Sequence, residues 1–303
     1  MDEKYIITTT DGLTKTRNFL ALEDEYASFK KSKAAILQVP YDKTTTYIHG
    51  TDKGPAAIID ASAYLERYDD ELNQETFRIG IHTLDALDVK DLTPEDMLSK
   101  VHSSISELLK AGKFPVILGG EHSVSVGAVK AFKEAYPSLS VLHFDAHYDL
   151  RDEYMGSKMN HGCAARRMNE QCPVVQVGTR SMSKEEKDFL SQAGSKVTSI
   201  SVYDILEMPM WKDVASNRLS ENVYISIDLD VFDPALVPSV GTPEPGGLGW
   251  YEILDLLKGV AKDKKIVGFD VVELCPVKGL VASDFLAAKL VYRLLGYVFP
   301  NKK

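Results

Sequence analysis

Residues 139–150 read LSVLHFDAHYDL, and residues 222–234 read NVYISIDLDVFDP. Each starts as a β-rich apolar run and turns acidic at its carboxyl end. Two more stretches repeat the plan: FPVILGGEHS at 114–123 and KKIVGFDVVELCP at 264–276. Their apolar parts are nearly continuous rather than alternating, as expected of strands covered by helices on both sheet faces. Outward from these four, β-rich runs alternate with segments of 3.6-residue apolar spacing. The expected strands are 35–39, 77–81, 115–118, 140–144, 174–178, 196–200, 223–228 and 265–272. The expected helices are 55–68, 94–109, 123–135, 184–192, 251–261 and 283–298. At the second of these, Thr93 serves as N-cap and Pro94 as first residue, with Glu95 and Asp96 in the first turn. Regular β-α alternation predicts an α/β fold with a parallel sheet and right-handed crossovers.

Composition narrows the function classes. The chain has 303 residues, 44% hydrophobic and 26% charged, which supports a large packed core. With no low-complexity tract, linker or internal repeat, one domain spanning 1–303 is expected, with 1–33 as an irregular N-terminal extension. A net charge of −9 without a basic stripe argues against nucleic-acid binding. No apolar run reaches the ~18–20 residues that span a bilayer, so no membrane role is expected. The polar, acidic opening MDEKYIITTTDG does not resemble a secretory leader. Three cysteines, Cys163, Cys172 and Cys275, make no disulfide framework. A cytoplasmic protein is the expectation.

In open α/β sheets, functional groups gather where the strands end. Side chains two apart in an extended segment share a side, so Asp145, His147 and Asp149 project together, as do Asp228 and Asp230. With His122, four carboxylates and two imidazoles converge from three strand ends. Acids so crowded cannot all stay ionised unaided, whereas two divalent cations balance four carboxylates. The oxygen-rich, two-imidazole set suits Mn²⁺, and Zn²⁺, Fe²⁺ or Ni²⁺ remain compatible. A pair of ions about 3.5–4 Å apart can generate a strong nucleophile from water near neutral pH. Any one of these short motifs is as readily a cap or turn; their joint occurrence carries the reading. His143 shares the parity of Asp145 but lies deeper and is expected behind the ligands. His49, His82 and His102 sit in loop or helix contexts without carboxylate company and are expected to be structural or solvent-facing. Cys163 and Cys275 neighbour site residues, but small buried thiols are the default.

Taken in order, GGEHS (119–123), HFDAHYD (143–149), SIDLDVFDP (226–234), GTPEPGGL (241–248) and GFDVVEL (268–274) resemble the ureohydrolase family of arginases, agmatinases and related guanidino hydrolases. The early element VPYDKTTTYIHGTDKGPAAI (39–58) is similar too. The likeness runs from Val39 to Pro276. It implies a three-layer α/β/α arginase-like fold with a mainly parallel eight-stranded sheet, two Mn²⁺ ions per chain, and hydrolysis of a guanidinium group to urea and an amine. By motif, His122, Asp145, Asp149 and Asp228 hold one ion, and His147, Asp145, Asp228 and Asp230 the other. Glu273 matches the acid that receives the guanidinium group. Thr242 matches the threonine of the GTP element, and His161, within Asn160-His161-Gly162-Cys163, matches the acid/base histidine. Homo-oligomers, trimers or hexamers, are also implied.

Substrate choice is expected in residues 150–160, LRDEYMGSKMN. Arginases hold the amino-acid head group there with an Asn- and Ser-bearing stretch, and this chain has Arg151 instead. The pattern is more similar to agmatinases. Asp152 or Glu153 would attract a distal ammonium, Arg151 would pair with a carboxylate such as that of guanidinobutyrate, and Asn160 completes the set. A solvated charged loop is an equal alternative for 151–153. Agmatine is therefore the first substrate, with guanidinobutyrate, arginine or a related compound as alternatives. A metal-binding homologue without turnover and a metal-dependent amide hydrolase stand further behind.

Overall fold

The computed structural model describes residues 6–8, 14–192 and 196–301. The helices are α1 (Asp24–Ala27), α2 (Gly54–Ser62), α3 (Pro94–Lys110), α4 (Val124–Ala135), α5 (Ala164–Gln171), α6 (Lys184–Leu190), α7 (Val202–Glu207), α8 (Trp211–Arg218), α9 (Trp250–Asp263) and α10 (Ala282–Val298). The main-sheet strands are β1 (Ala34–Val39), β2 (Ile81–Thr83), β3 (Phe114–Gly119), β4 (Leu139–Phe144), β5 (Val174–Val177), β6 (Val197–Ile200), β7 (Asn222–Asp228) and β8 (Lys265–Val272). All eight pair in parallel, in the order β2-β1-β3-β8-β7-β4-β5-β6. Of the segment read as an irregular extension, residues 1–5 and 9–13 lie outside the described residues. Ile6–Thr8 pairs antiparallel with Thr14–Thr16, and Phe19, Leu20 and Leu22 are buried in the core.

Burial follows the pleat. Ile36, Leu118, Phe144, Ile227 and Val271 face one apolar layer, closed by α2, α8, α9 and α10. Leu37, Ile117, Val141 and Tyr224 face the other, closed by α3, α4 and α5. Burial on both faces accounts for the continuous apolar runs. Caps set the helix starts: the Thr93 hydroxyl accepts from the Asp96 amide, and Ser183 with Glu186 forms a capping box on α6.

Two expected elements differ. Residues 76–79 form a 3₁₀ turn, and the edge strand begins only at Ile81. Gly80 lies between them with φ +76°, a left-handed conformation that breaks an extended run. The helix expected to reach residue 68 ends at Ser62, whose hydroxyl donates to Ile59 O and accepts from Leu20 N. There the chain turns to bury Leu65. Among the described residues, no helix is long and apolar enough to cross a membrane.

Candidate active site

Strand order, not sequence order, assembles the site. The neighbours β3, β8, β7 and β4 occupy the middle of the sheet, and their registers align Leu118 with Val271, Val272 with Asp228, and Phe144 with Ile227. His122, Glu273, Asp228, Asp230 and Asp145 therefore leave adjacent strand ends. At Gly120 an added Cβ would lie 1.9 Å from Tyr41 O, so only glycine lets this turn lie against the loop after β1. Asp149 and Glu273 have φ of +50° and +64°. Non-glycine residues rarely adopt this region, and such strain concentrates at functional sites.

His122 Nδ1 lies 3.0 Å from Asp145 Oδ2, 3.3 Å from Asp228 Oδ2 and 3.5 Å from Asp149 Oδ2. His147 Nδ1 lies 2.8 Å from Asp230 Oδ2 and 3.5 Å from Asp145 Oδ1. Two groups of ligand atoms thus gather within 4.8 Å: His122, His143, Asp145 and Asp149, then Asp145, His147 and Asp230. His143 comes closer than expected. Its Nε2 is 3.5 Å from Asp145 Oδ2, and its ring stacks on that of His122 at 4.7 Å. Although they approach one another, His122 Nδ1, His143 Nε2 and Asp145 Oδ2 are buried and make no well-directed hydrogen bond. Buried polar atoms are rarely left so, and here they converge among acids, which fits a bound cation.

The electrostatics agree. Burial is the largest influence on Asp149, Asp228 and Asp230, and together with neighbouring acids it raises their carboxyls above the usual range. Burial alone would raise Asp145 as well, but His122 and His147 outweigh it and hold that carboxyl low. Burial would lower His122 and His147, and is outweighed by Asp145 with Asp228 in one case and Asp230 with Asp145 in the other. Desolvation pulls His143 down to about 3, leaving a neutral imidazole. Protons thus do the balancing that divalent cations would do, so cation binding should release them.

Behind His122 runs a buried polar chain. Its Nε2 is 3.0 Å from Ser226 Oγ, and Ser226 donates to Asp270 Oδ1 at 2.8 Å. Tyr224 donates to Asp270 Oδ2 at 2.6 Å. With its hydrogen committed to Asp270, the Ser226 oxygen accepts Nε2–H, and Nδ1 is left to face the acids.

A cavity of about 260 Å³ opens on the cluster. His147, Asp149, Asp228, Glu273, Thr242, His161 and Thr46 line it, and Arg151, Tyr154, Gly162, Ser181, Met182, Ser183 and Glu186 complete the wall. Glu273 Oε1 accepts from His122 N at 2.6 Å and lies 3.6 Å from His161 Nδ1. Burial would depress His161, but Glu273 and the nearby acids carry it up to about 9. The Arg151 guanidinium sits 4.5 Å above the Tyr154 ring.

The rest of the expected substrate set is placed elsewhere. The Asp152 carboxylate binds Arg167 at 2.9 Å and Lys158 at 3.0 Å, because α5 presents a buried guanidinium beneath it. Glu153 is exposed and outside the cavity lining. Asn160 caps the turn before α5, accepting from Gly162 N and donating to Thr44 O. Contrary to expectation, His49 and His102 do have carboxylate partners, Asp42 and Glu134, brought near by the fold, while His82 contacts Ala27 O; all three lie away from the cluster. The three cysteines are free and buried, with Cys163 and Cys172 pushed up to about 12 by desolvation. Sequence reasoning missed Thr46, Tyr154, Glu186, Ser226 and Asp270. Asp270 did leave a signal, as a charge in the middle of an apolar strand.

The Arginase family pattern matches residues 32–296. The chain belongs to the arginase family. Among relatives of this arginase-family ureohydrolase, the N(1)-aminopropylagmatine ureohydrolase of Synechocystis sp. is 36% identical, covering 91% of this chain and 92% of that protein. The agmatinase of Pyrococcus horikoshii is 38% identical, covering 88% and 92%. In structure, the ureohydrolase is similar to the agmatine ureohydrolase of Thermoplasma volcanium, with TM-score 0.84 and 31% identity over 94% of each chain. It is similar to the arginase of Bacillus cereus with TM-score 0.74 and 26% identity over 87% and 98%.

Proposed function

We propose that this ureohydrolase converts agmatine and water to putrescine and urea, with two Mn²⁺ ions per chain. His122, Asp145, Asp149 and Asp228 would hold one ion, and His147, Asp145, Asp228 and Asp230 the other. The observation that carries the reading is one cavity lined by His147, Asp149 and Asp228 of the histidine–aspartate cluster together with Glu273 and His161. Bound there, the ions supply a nucleophilic water at neutral pH and stabilise developing negative charge.

The chain's own residues do the rest. A guanidinium carbon is a poor electrophile because its charge is spread over three nitrogens. The Glu273 carboxylate attracts that cation and orients its carbon by charge-assisted hydrogen bonds. The amine leaves readily only when protonated. His161, raised to about 9 beside Glu273, carries a proton at neutral pH and gives it to the leaving nitrogen. Thr242, also on the cavity wall, is the hydroxyl available to the guanidinium or the intermediate.

The names of relatives support agmatine and also favour a second reading, N(1)-aminopropylagmatine, which keeps the same guanidino end and carries an aminopropyl arm on the distal amine. Arg151 on the cavity wall favours carboxylated guanidines such as guanidinobutyrate over both. We place the enzyme in the cytoplasm, in polyamine synthesis, consistent with three free thiols. We also read it as a homo-oligomer, for which the exposed Leu280, Val281 and Phe285 supply an apolar surface. Urea release by Mn²⁺-loaded protein tests the function across agmatine, N(1)-aminopropylagmatine, guanidinobutyrate and arginine. A kcat/KM at least tenfold higher for agmatine is expected. Preference for guanidinobutyrate would replace the substrate, and silence on all four with two ions bound would refute the activity.

A further inference from the structure

We propose that Thr46 is a positioning residue for His161, on a loop moored to the metal-ligand turn by the buried carboxylate of Glu121. This rests on the reading of His161 as proton donor. Residues 41–50 contain no helix or strand, and the loop exposes Tyr47, Ile48 and His49. Such a segment holds a side chain in register only if its base is fixed. Glu121, fully buried and next to His122, fixes it. Its Oε2 accepts from Lys43 N at 2.7 Å and Thr44 N at 2.6 Å, and its Oε1 from Thr44 Oγ1 at 2.6 Å and Ser123 Oγ at 2.5 Å. Four donors on one buried carboxylate leave it little freedom to move.

From this base the loop grips residue 161 twice. Thr44 Oγ1, which donates to Glu121, accepts from His161 N at 2.9 Å. Thr46 Oγ1 lies 3.3 Å from His161 Nε2, and Asn160 donates to Thr44 O. His161 otherwise sits at the start of a three-residue 3₁₀ turn, a weak support for a group that must deliver a proton along one line. With Nε2 set by Thr46 and Nδ1 facing Glu273, the ring is held at both nitrogens. Small errors in the placement of a proton donor are costly in rate. Thr46 therefore works through His161 and contributes to the chemical step more than to binding.

The test uses the full-length, Mn²⁺-loaded enzyme with agmatine and the variants Thr46→Val, Thr46→Ser, His161→Asn and Thr46→Val/His161→Asn. Metal content and melting temperature are measured alongside. Thr46→Val is expected to lower kcat about tenfold, KM staying within about twofold, which is the loss of about one hydrogen bond. Thr46→Ser keeps the hydroxyl and should recover to within about threefold of the parent. In the His161→Asn background, Thr46→Val should cost less than about twofold more, because residues acting as a unit are non-additive. An unchanged kcat in Thr46→Val, or an equal fall in both backgrounds, overturns the proposal while the role of His161 stands. Full activity of His161→Asn overturns the proton-donor reading itself, and the proposal with it.

Discussion

Ser226→Ala removes one oxygen from the middle of the sheet, and its consequence is calculable. Ser226 is fully buried and lies between His122 Nε2 and Asp270 Oδ1. The substitution leaves Nε2–H without an acceptor and takes one donor from a buried carboxylate. A buried group left unsatisfied costs about 1–3 kcal/mol. For 303 residues the unfolding entropy is on the order of 0.6 kcal/mol/K, so the melting temperature should fall by about 2–5 °C. The second effect reaches the proposed metal site. Without Ser226, nothing favours the tautomer whose bare Nδ1 faces Asp145, Asp149 and Asp228. Loss of such a supporting partner typically weakens metal affinity about 10–100-fold. Titration with Mn²⁺ against a competing chelator should show that loss at one of two sites, the other changing little. If both dissociation constants stay within about twofold of the parent, the Ser226–Asp270 chain does not set the ligand geometry of His122.

His161→Asn should lower kcat by about 10²–10⁴ with metal content unchanged. In the parent enzyme kcat should fall as pH rises past about 9, where the His161 acid form is lost, and the variant should lack that limb; full activity across pH in the variant would exclude the proton-donor role. Chelation should lower the melting temperature, because the cation binds the folded cluster and not the unfolded chain. At a free concentration 100 times the dissociation constant the difference is about 2.7 kcal/mol for each ion, or about 8 °C for two ions at this chain length. A melting curve unmoved by verified metal removal would remove the cation from the stability argument.

Local chemistry explains how much was legible in advance. Each acid and histidine of the cluster closes a continuous apolar strand, and two-residue spacing put Asp145 with His147 and Asp228 with Asp230 before any contact was known. The loop after Asp149 was less readable. Whether Asp152 faces substrate or scaffold depends on Arg167, fifteen residues away on α5, and no local rule places that guanidinium beneath the loop. Thr46 was invisible for the same reason, since a half-buried loop threonine acquires meaning only from Glu121 and His161, 75 and 115 residues later.

Periodicity, caps and strand-end acids are properties of neighbours along the chain, so the amino-acid sequence alone determined the α/β alternation, the acids and histidines gathered at the strand ends, and the family. Which strands lie side by side is a long-range choice. Only the order β3-β8-β7-β4 brings Glu273 onto His122 and Asp228 beside Asp145, and only that packing buries His122 Nδ1 3.0 Å from Asp145 Oδ2. Tertiary structure decided this because hydrogen bonding between strands is indifferent to their separation in sequence, while the position of a charge depends on which strand ends adjoin.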